Sequence, residues 1–315
     1  MRIRRAMPRR PGRGATPGRS PARNPRAGAT LVELVVVLVI AGILGSAMAV
    51  FGARSMQGYR DLSRRAMLID AAESALRRIG RDVRRALPNS IRIGGSARVL
   101  EILHVADGAR YRRQPGTNPG PTAHLAASDW LSFTAAGDSG FNLLGRLGAL
   151  SFSYGTPLSA GTRLAIYTTG PSVYTDAATA ANPGVITPAA TQVTISDDTD
   201  EDQVQLSGSF QFRYESPRQR LYVVDTPITY LCDLAGQTLT LYTGYSIAQT
   251  QPTSPGVPPL SSAASALVTN HVSGCGFTYQ PGTSQRAGLL TMEMQIAQAG
   301  EQVRLLHQVH VENAP

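Results

Sequence analysis

Several residue types and motifs are missing from this sequence, and each absence narrows its function. The chain contains no lysine, so all 30 of its basic residues are arginines, a bias typical of a GC-rich genome that carries no functional inference. Residues 1–28 contain nine of these arginines and no acidic residue, which leaves 21 basic and 21 acidic residues in the remainder. The formal net charge of +9 therefore belongs to the N-terminal segment. Because the remainder has no basic excess, we expect no nucleic-acid partner.

Motifs of several enzyme classes are also absent. The sequence has no G-x-S-x-G elbow, no phosphate-binding P-loop and no G-x-G-x-x-G in a strand–helix context. His307 and His310 form H-x-x-H, but they lie in a predicted strand, where residues three apart point to opposite faces. We therefore expect ordinary strand histidines rather than a shared zinc site, and no catalytic activity.

Only two cysteines are present, Cys232 and Cys275, and they lack the short spacing of a metal motif. In an oxidising compartment they would form one disulfide that closes a loop of about forty residues. Such a bridge would stabilise the fold by about 3–4 kcal/mol in the loop-entropy description. The alternative is two unrelated buried thiols.

An uncharged and mostly apolar run of twenty residues covers 34–53. It is long enough to cross a bilayer as a helix, and the preceding arginines orient the N-terminus toward the cytoplasm. Two alternatives stay open at this point. The run could be a plain transmembrane anchor, or a secretory signal cut after Ala49 in the pattern Ala47-Met48-Ala49.

Glu33 stands one residue before this run, and a carboxylate at the edge of a membrane span is costly enough to suggest a function. The surrounding letters, GATLVEL, resemble the prepilin processing motif, in which a glycine and a phenylalanine precede Thr-Leu-x-Glu. Gly28 matches the glycine, and Ala29 stands where the phenylalanine is usual.

The resemblance implies a processing route and a role for the acid. A prepilin peptidase would cut between Gly28 and Ala29 on the cytoplasmic side and methylate the new amine of Ala29. Glu33 would then pair with the N-terminal amine of a neighbouring subunit during assembly, which makes a carboxylate in hydrocarbon much less unfavourable. The alternative is an acid that lies at headgroup depth without a role in assembly.

Two sets of residues mark one face of a predicted helix after the apolar run. The first set repeats every seven residues and the second fills the same face: Leu62, Ile69, Leu76 and Val83, then Ala66, Ala72, Ile79 and Leu87. Pro88-Asn89 ends the pattern, which predicts one helix over 30–87. This is the stem that the resemblance to pilins leads us to expect, with a membrane half (29–53) and an amphipathic half (54–88); the alternative for the latter is a free coiled-coil stalk.

Residues 89–315 have the short alternating patterns of β-strands, and we expect a periplasmic β-rich domain there. The clearest unit is a hairpin with strands over 290–296 and 303–311 and a turn near Ala299-Gly300. Further strands are predicted over 99–105, 149–154, 163–168, 203–213, 220–224, 228–232, 238–242 and 276–279. Exposed loops are predicted over 179–190 and 249–262. The fold class is therefore α+β, a long helical stem packed on antiparallel sheet, with residues 1–28 as a basic leader.

The acidic stretch SDDTDED, residues 196–202, is the best candidate for a cation site. Asp197, Asp198, Asp200 and Asp202 supply the hard oxygens that Ca²⁺ prefers. The stretch lacks the glycine and the distal glutamate of an EF-hand, and its alternative is a solvated acidic turn. No other cofactor is expected.

Four further segments resemble the MshO-type minor pilins of the mannose-sensitive haemagglutinin pilus: RALPNSIRI, SPRQRLYVVDTPITYLCD, the surroundings of Cys275 and the closing HQVHVENAP. The resemblance implies a single-pass inner-membrane protein that enters a pilus. Its partners would be prepilin peptidase, other major and minor pilins and an inner-membrane assembly platform. Two other functions stay open: a minor pseudopilin of type II secretion, and a membrane-anchored or secreted binding module such as an adhesin.

Overall fold

The computed structural model describes Gly28 and residues 30–115, 126–134, 136–282 and 286–312. The predicted leader before Gly28 lies outside the described residues, and so does Ala29 at the predicted cut site. The chain divides into two compact units, residues 1–59 and residues 60–315.

The first helix, α1, runs from Leu31 to Arg84 and contains 54 residues. It begins after Thr30, whose hydroxyl oxygen accepts the backbone N–H of Glu33 at 3.2 Å and so caps the first turn. Its first turn holds an acid and its last turn holds Arg81 and Arg84, which suits the helix dipole at both ends.

The helix ends three residues before the predicted boundary because the chain there joins a sheet. Ala86 forms an antiparallel bridge with His104, and the N–H of Leu87 bonds to the carbonyl of Leu103 at 2.8 Å. The backbone groups of this segment therefore pair with a strand instead of continuing the helix.

Within the second unit, one face of α1 is buried against strands. Its buried residues are Leu68, Ala72, Ala75, Leu76, Ile79 and Val83. The seven-residue pattern is wrong at its N-terminal end, because Leu62 is 69% exposed, Ile69 is 38% exposed and Ala66 is also exposed. Packing begins at Leu68 and follows the 3.6-residue period of a straight helix, from which a strict heptad drifts.

Twelve strands form three sheets among the residues that the structure describes, and all their ladders are antiparallel. The first sheet has the order β1 (Arg92–Gly94), β2 (Val99–Arg110), β7 (Arg220–Asp233), β8 (Thr238–Thr243) and β9 (Ala264–Asn270), and β4 (Arg163–Ala165) also pairs with β7. The second sheet has the order β10 (Val272–Gln280), β11 (Gly288–Gln298) and β12 (Glu301–Val311). The third has the order β3 (Asp138–Leu143), β6 (Glu201–Phe210) and β5 (Val193–Asp198).

The buried face of α1 shares one core with the first and second sheets. Leu100 and Ile102 of β2, Tyr230 of β7 and Met292 of β11 all belong to this core. A Cβ built on Gly80 would lie 3.3 Å from Cγ2 of Val309, so α1 and β12 are in close contact there. The predicted α+β fold, a long helix packed on antiparallel sheet, is confirmed.

The predicted hairpin is confirmed as β11 and β12, which turn at Ala299-Gly300. Several other predictions need correction. Residues 149–154 form no strand; the N–H groups of Ala149 and Leu150 donate to the carboxylate of Asp107 instead. The strand predicted over 163–168 ends at Ala165. The two strands predicted over 220–224 and 228–232 are one strand, β7.

The predicted exposed loop over 179–190 is also wrong in part. Val185 and Ile186 are buried, and Ile186 bridges to Ala165. Just before them lies a second helix, α2 (Ser172–Thr179), which the sequence pattern did not predict. The segment therefore contributes to a core rather than to the surface.

Candidate functional site

The predicted processing segment lies at the start of α1. Gly28 is exposed, and nothing lies within 4 Å of a Cβ built on it. Ala29, the residue predicted to become the methylated N-terminus, lies outside the described residues. Among the described residues, nothing therefore covers the cut-site glycine.

Glu33 occupies the first turn of α1 with an exposed side chain. Its negative charge is favourable at this position because the N-terminus of a helix carries partial positive charge. Among the residues that the structure describes, no cation lies within ion-pair distance of its carboxylate. The carboxylate is therefore available to a partner outside this chain.

The surface around Glu33 is apolar and uncovered. The large apolar residues that stay exposed within the first unit up to Phe51 are Leu31, Val32, Leu34, Val35, Val36, Val37, Leu38, Val39, Ile40, Ile43, Leu44, Met48, Val50 and Phe51. By length and composition α1 is the one helix in the described part of the chain that could cross a membrane, a test that an N-terminal signal sequence also passes. A surface this large is stable only against lipid or other apolar helices.

The two cysteines are joined in the second unit. Cys232 on β7 and Cys275 on β10 form a disulfide across 43 residues of sequence. The predicted disulfide is confirmed, and it links the first sheet to the second.

The four aspartates of the calcium candidate lie on the β5–β6 hairpin, where the carboxylates of Asp197, Asp198 and Asp202 bind protein groups. Asp197 accepts a hydrogen bond from Arg146 at 2.7 Å, which raises the pKa of that guanidinium. Asp202 accepts the backbone N–H of Leu147 at 2.7 Å and the hydroxyl of Tyr154 at 2.8 Å.

The hydrogen bonds of Asp197 and Asp202 hold the 146–154 loop against the β5–β6 hairpin. Asp198 likewise accepts the side-chain amide of Asn142, at 2.7 Å. Across the described ranges, no three His, Cys, Asp or Glu side chains are grouped so that they could hold a metal ion.

His307 and His310 lie on β12, the first half-buried and the second exposed, as their alternation predicts.

A buried polar network, which was not predicted from the sequence, joins β1, β2 and the 245–249 segment. The carboxylate of Glu101 has no exposed surface and accepts hydrogen bonds from Arg92 and from the hydroxyl of Tyr245. The guanidinium of Arg92 also donates to the carbonyls of Ala248 and Gln249 and lies 3.6 Å from the ring centre of Tyr174. Burial raises the pKa of Glu101 against the opposing effect of Arg92.

This network is structural, because its charges face each other and the protein backbone. No short sequence motif predicts the network, because Arg92 and Glu101 come together through the pairing of β1 with β2.

Residues 23–49 match the family model of the prokaryotic N-terminal methylation motif. The chain therefore has the N-terminal motif that is typical of type IV pilin-like proteins. The match includes Gly28, Glu33 and the first turns of α1, and it implies processing by prepilin peptidase and assembly into a pilus or pseudopilus. No curated protein and no solved structure matches the chain.

Proposed function

We propose that this chain is a minor subunit of a type IV pilus-like filament, similar to the MshO-type minor pilins. The observation that carries the proposal is the methylation motif over 23–49, with Glu33 exposed in the first turn of α1 and without an ion-pair partner among the described residues. The subunit would act by assembly rather than by catalysis, and it would need no cofactor.

Before assembly, the chain would span the inner membrane once, with residues 89–315 in the periplasm. Prepilin peptidase would cut between Gly28 and Ala29 and methylate the amine of Ala29. Glu33 would then bind the free amine of a neighbouring subunit, because a carboxylate and an ammonium are far less costly in hydrocarbon together than apart. The exposed apolar surface of α1 would pass from lipid to the stems of other pilins.

The subunit would prime assembly or lie near the tip of the filament. Its partners would be other major and minor pilins and the inner-membrane assembly platform. A minor pseudopilin of type II secretion shares the same stem, and the two are separated by which filament incorporates the chain.

The assembly role of Glu33 is tested by the substitution Glu33→Ala in a host that makes the filament. We expect the variant to reach the membrane at the normal level and to fall about tenfold or more in sheared filaments, as expected for loss of a buried charge pair. Glu73→Ala is the matched control, because Glu73 is an exposed acid on the same helix and forms an exposed ion pair with Arg77.

Quantitative immunoblots of membrane and filament fractions measure both amounts. Normal incorporation of Glu33→Ala, or an equal loss in Glu73→Ala, would contradict the proposed role.

A further inference from the structure

A cleft of about 660 Å³ lies in the second unit, away from the N-terminal segment. It is bounded by the C-terminal end of α1, the second half of β2 and the start of β7. Four guanidinium side chains line it, those of Arg84, Arg85, Arg110 and Arg220. The cleft therefore concentrates positive charge in a part of the chain that is neutral on average.

Two acids also line the cleft, Asp107 and Glu312, and one of them is already used. Asp107 accepts three backbone N–H groups, from Gly108 at 2.7 Å, Ala149 at 2.8 Å and Leu150 at 3.0 Å. Its charge is thus turned toward the 149–150 loop and opposes the arginines less than its position suggests.

Arg84, the last residue of α1, and Arg85, which follows it, are both exposed. Within the described part of the chain, neither guanidinium has a carboxylate in ion-pair distance. Both are therefore available to an anion from outside the chain. Arg110 is also exposed and donates a single side-chain hydrogen bond, to Gln219 at 3.2 Å.

The cleft also contains an open strand edge. Before it, Ala86 pairs with His104, and after it, Tyr111 pairs with Leu143. Between these two bridges, residues 107–109 of β2 pair with β7 on one side and, among the described residues, with no strand on the other. The ladder shifts register at 103–105 and 105–107, and such irregularities bend a strand and interrupt its pairing.

We propose that this cleft binds an extended acidic peptide segment of a partner protein. The peptide backbone would pair with the open edge of β2 along residues 107–109, about three residues at 3.3 Å each, through backbone groups other than the N–H of Gly108, which donates to Asp107. Alternate carboxylates would meet Arg84, Arg85 and Arg110, and the residues between them would lie over Val105, Ala109 and Leu221, which form the apolar lining. A simple inorganic anion would use the arginines but neither the edge nor the apolar lining.

The test uses the full chain in an uncharged detergent and a fluorescent peptide of alternating Glu and Val residues, with binding followed by anisotropy. We expect saturable binding that weakens as salt is added, because the contacts are exposed ion pairs. The double variant Arg84→Gln/Arg85→Gln should bind about tenfold more weakly or worse. The matched control is Arg64→Gln/Arg65→Gln, which removes the same charge from α1 outside the cleft and should bind as the unchanged chain does.

Two further probes separate the parts of the proposal. A peptide N-methylated at alternate residues keeps its charge but loses strand pairing, and it should bind markedly more weakly than the parent peptide. Equal losses in the two double variants would overturn the proposal in favour of a net-charge effect. Full displacement of the peptide by inorganic phosphate at comparable concentration would overturn it in favour of a small-anion site.

Discussion

At the residue scale, two carboxylates, one in each unit, differ in whether the described chain supplies them with a partner. In the second unit Glu101 is fully buried, yet Arg92 and Tyr245 satisfy its carboxylate. Glu33 lies among exposed apolar residues with no such partner in the described chain. Because an unpaired carboxylate in hydrocarbon is costly, its missing partner is expected from another subunit.

Tyr111 gives a prediction about alkaline pH. It is fully buried, its hydroxyl accepts the N–H of Ser216 at 3.0 Å, and burial raises its pKa to about 12. The raised pKa means that the folded state keeps its proton where the unfolded chain, with a pKa of about 10, releases it. The stability that the protonated Tyr111 contributes to the fold is complete below about pH 10 and is lost as the pH rises toward 12.

The substitution Tyr111→Phe should therefore cost about 1–2 kcal/mol at neutral pH, from lost hydrogen bonds, and progressively less above about pH 10. Urea unfolding at neutral and alkaline pH measures the difference. Tyr214→Phe is the control, since Tyr214 is 47% exposed. A gap between the unchanged chain and Tyr111→Phe that stays constant with pH would contradict the assignment.

At the scale of elements, α1 carries two kinds of apolar residue that sequence alone does not separate. Ile79 has no exposed surface, whereas Leu62 is 69% exposed. We expect Ile79→Ala to lower the free energy of unfolding of the second unit by about 2–5 kcal/mol, because it leaves a cavity under two sheets.

Leu62→Ala should change that free energy by about 0.5 kcal/mol or less. Chemical denaturation of the detergent-solubilised chain compares the two. Similar losses of unfolding free energy in both variants would show that α1 does not bury the face that contains Ile79.

The elements that could be predicted are those with a strong local period. α1 and the β11–β12 hairpin have it, and both were found within a few residues of their bounds. β9 is mostly exposed, so it shows no apolar alternation, and α2 has only eight residues. β7 was split at Pro227, a residue that normally ends a strand, but Pro227 pairs with Leu103 beside the register shift and the strand continues.

Candidate sites can likewise be predicted from one sequence when their residues form a local pattern. The motif with Gly28 and Glu33 could be recognised because it is contiguous in sequence, and the roles of the two residues stay predictions. The arginine cleft could not, since Arg85, Arg110 and Arg220 come together only through the pairing of β2 with β7 and the return of the chain after α1. Contacts between distant residues leave no local pattern in a single sequence.

At the scale of the whole molecule, the disulfide joins two sheets that share the core under α1. A loop of 43 residues corresponds to about 4 kcal/mol in the loop-entropy description. The variant Cys232→Ser/Cys275→Ser should lose roughly that amount, and added reductant should destabilise the unchanged chain but not the variant. Equal stability of both proteins under oxidising conditions would show that the bridge does not constrain the unfolded chain.

Processing after Gly28 and assembly through Glu33 both depend on where the mature chain begins. The most direct measurement is the intact mass and N-terminal peptide of the protein purified from cells with their own prepilin peptidase, beside cells that lack the peptidase. We predict a chain that begins at Ala29 with a methyl group on its amine, and an uncut chain in the cells without peptidase. A chain that begins at Val50, or one that stays uncut in both strains, would contradict the prepilin account and the role of Glu33 with it.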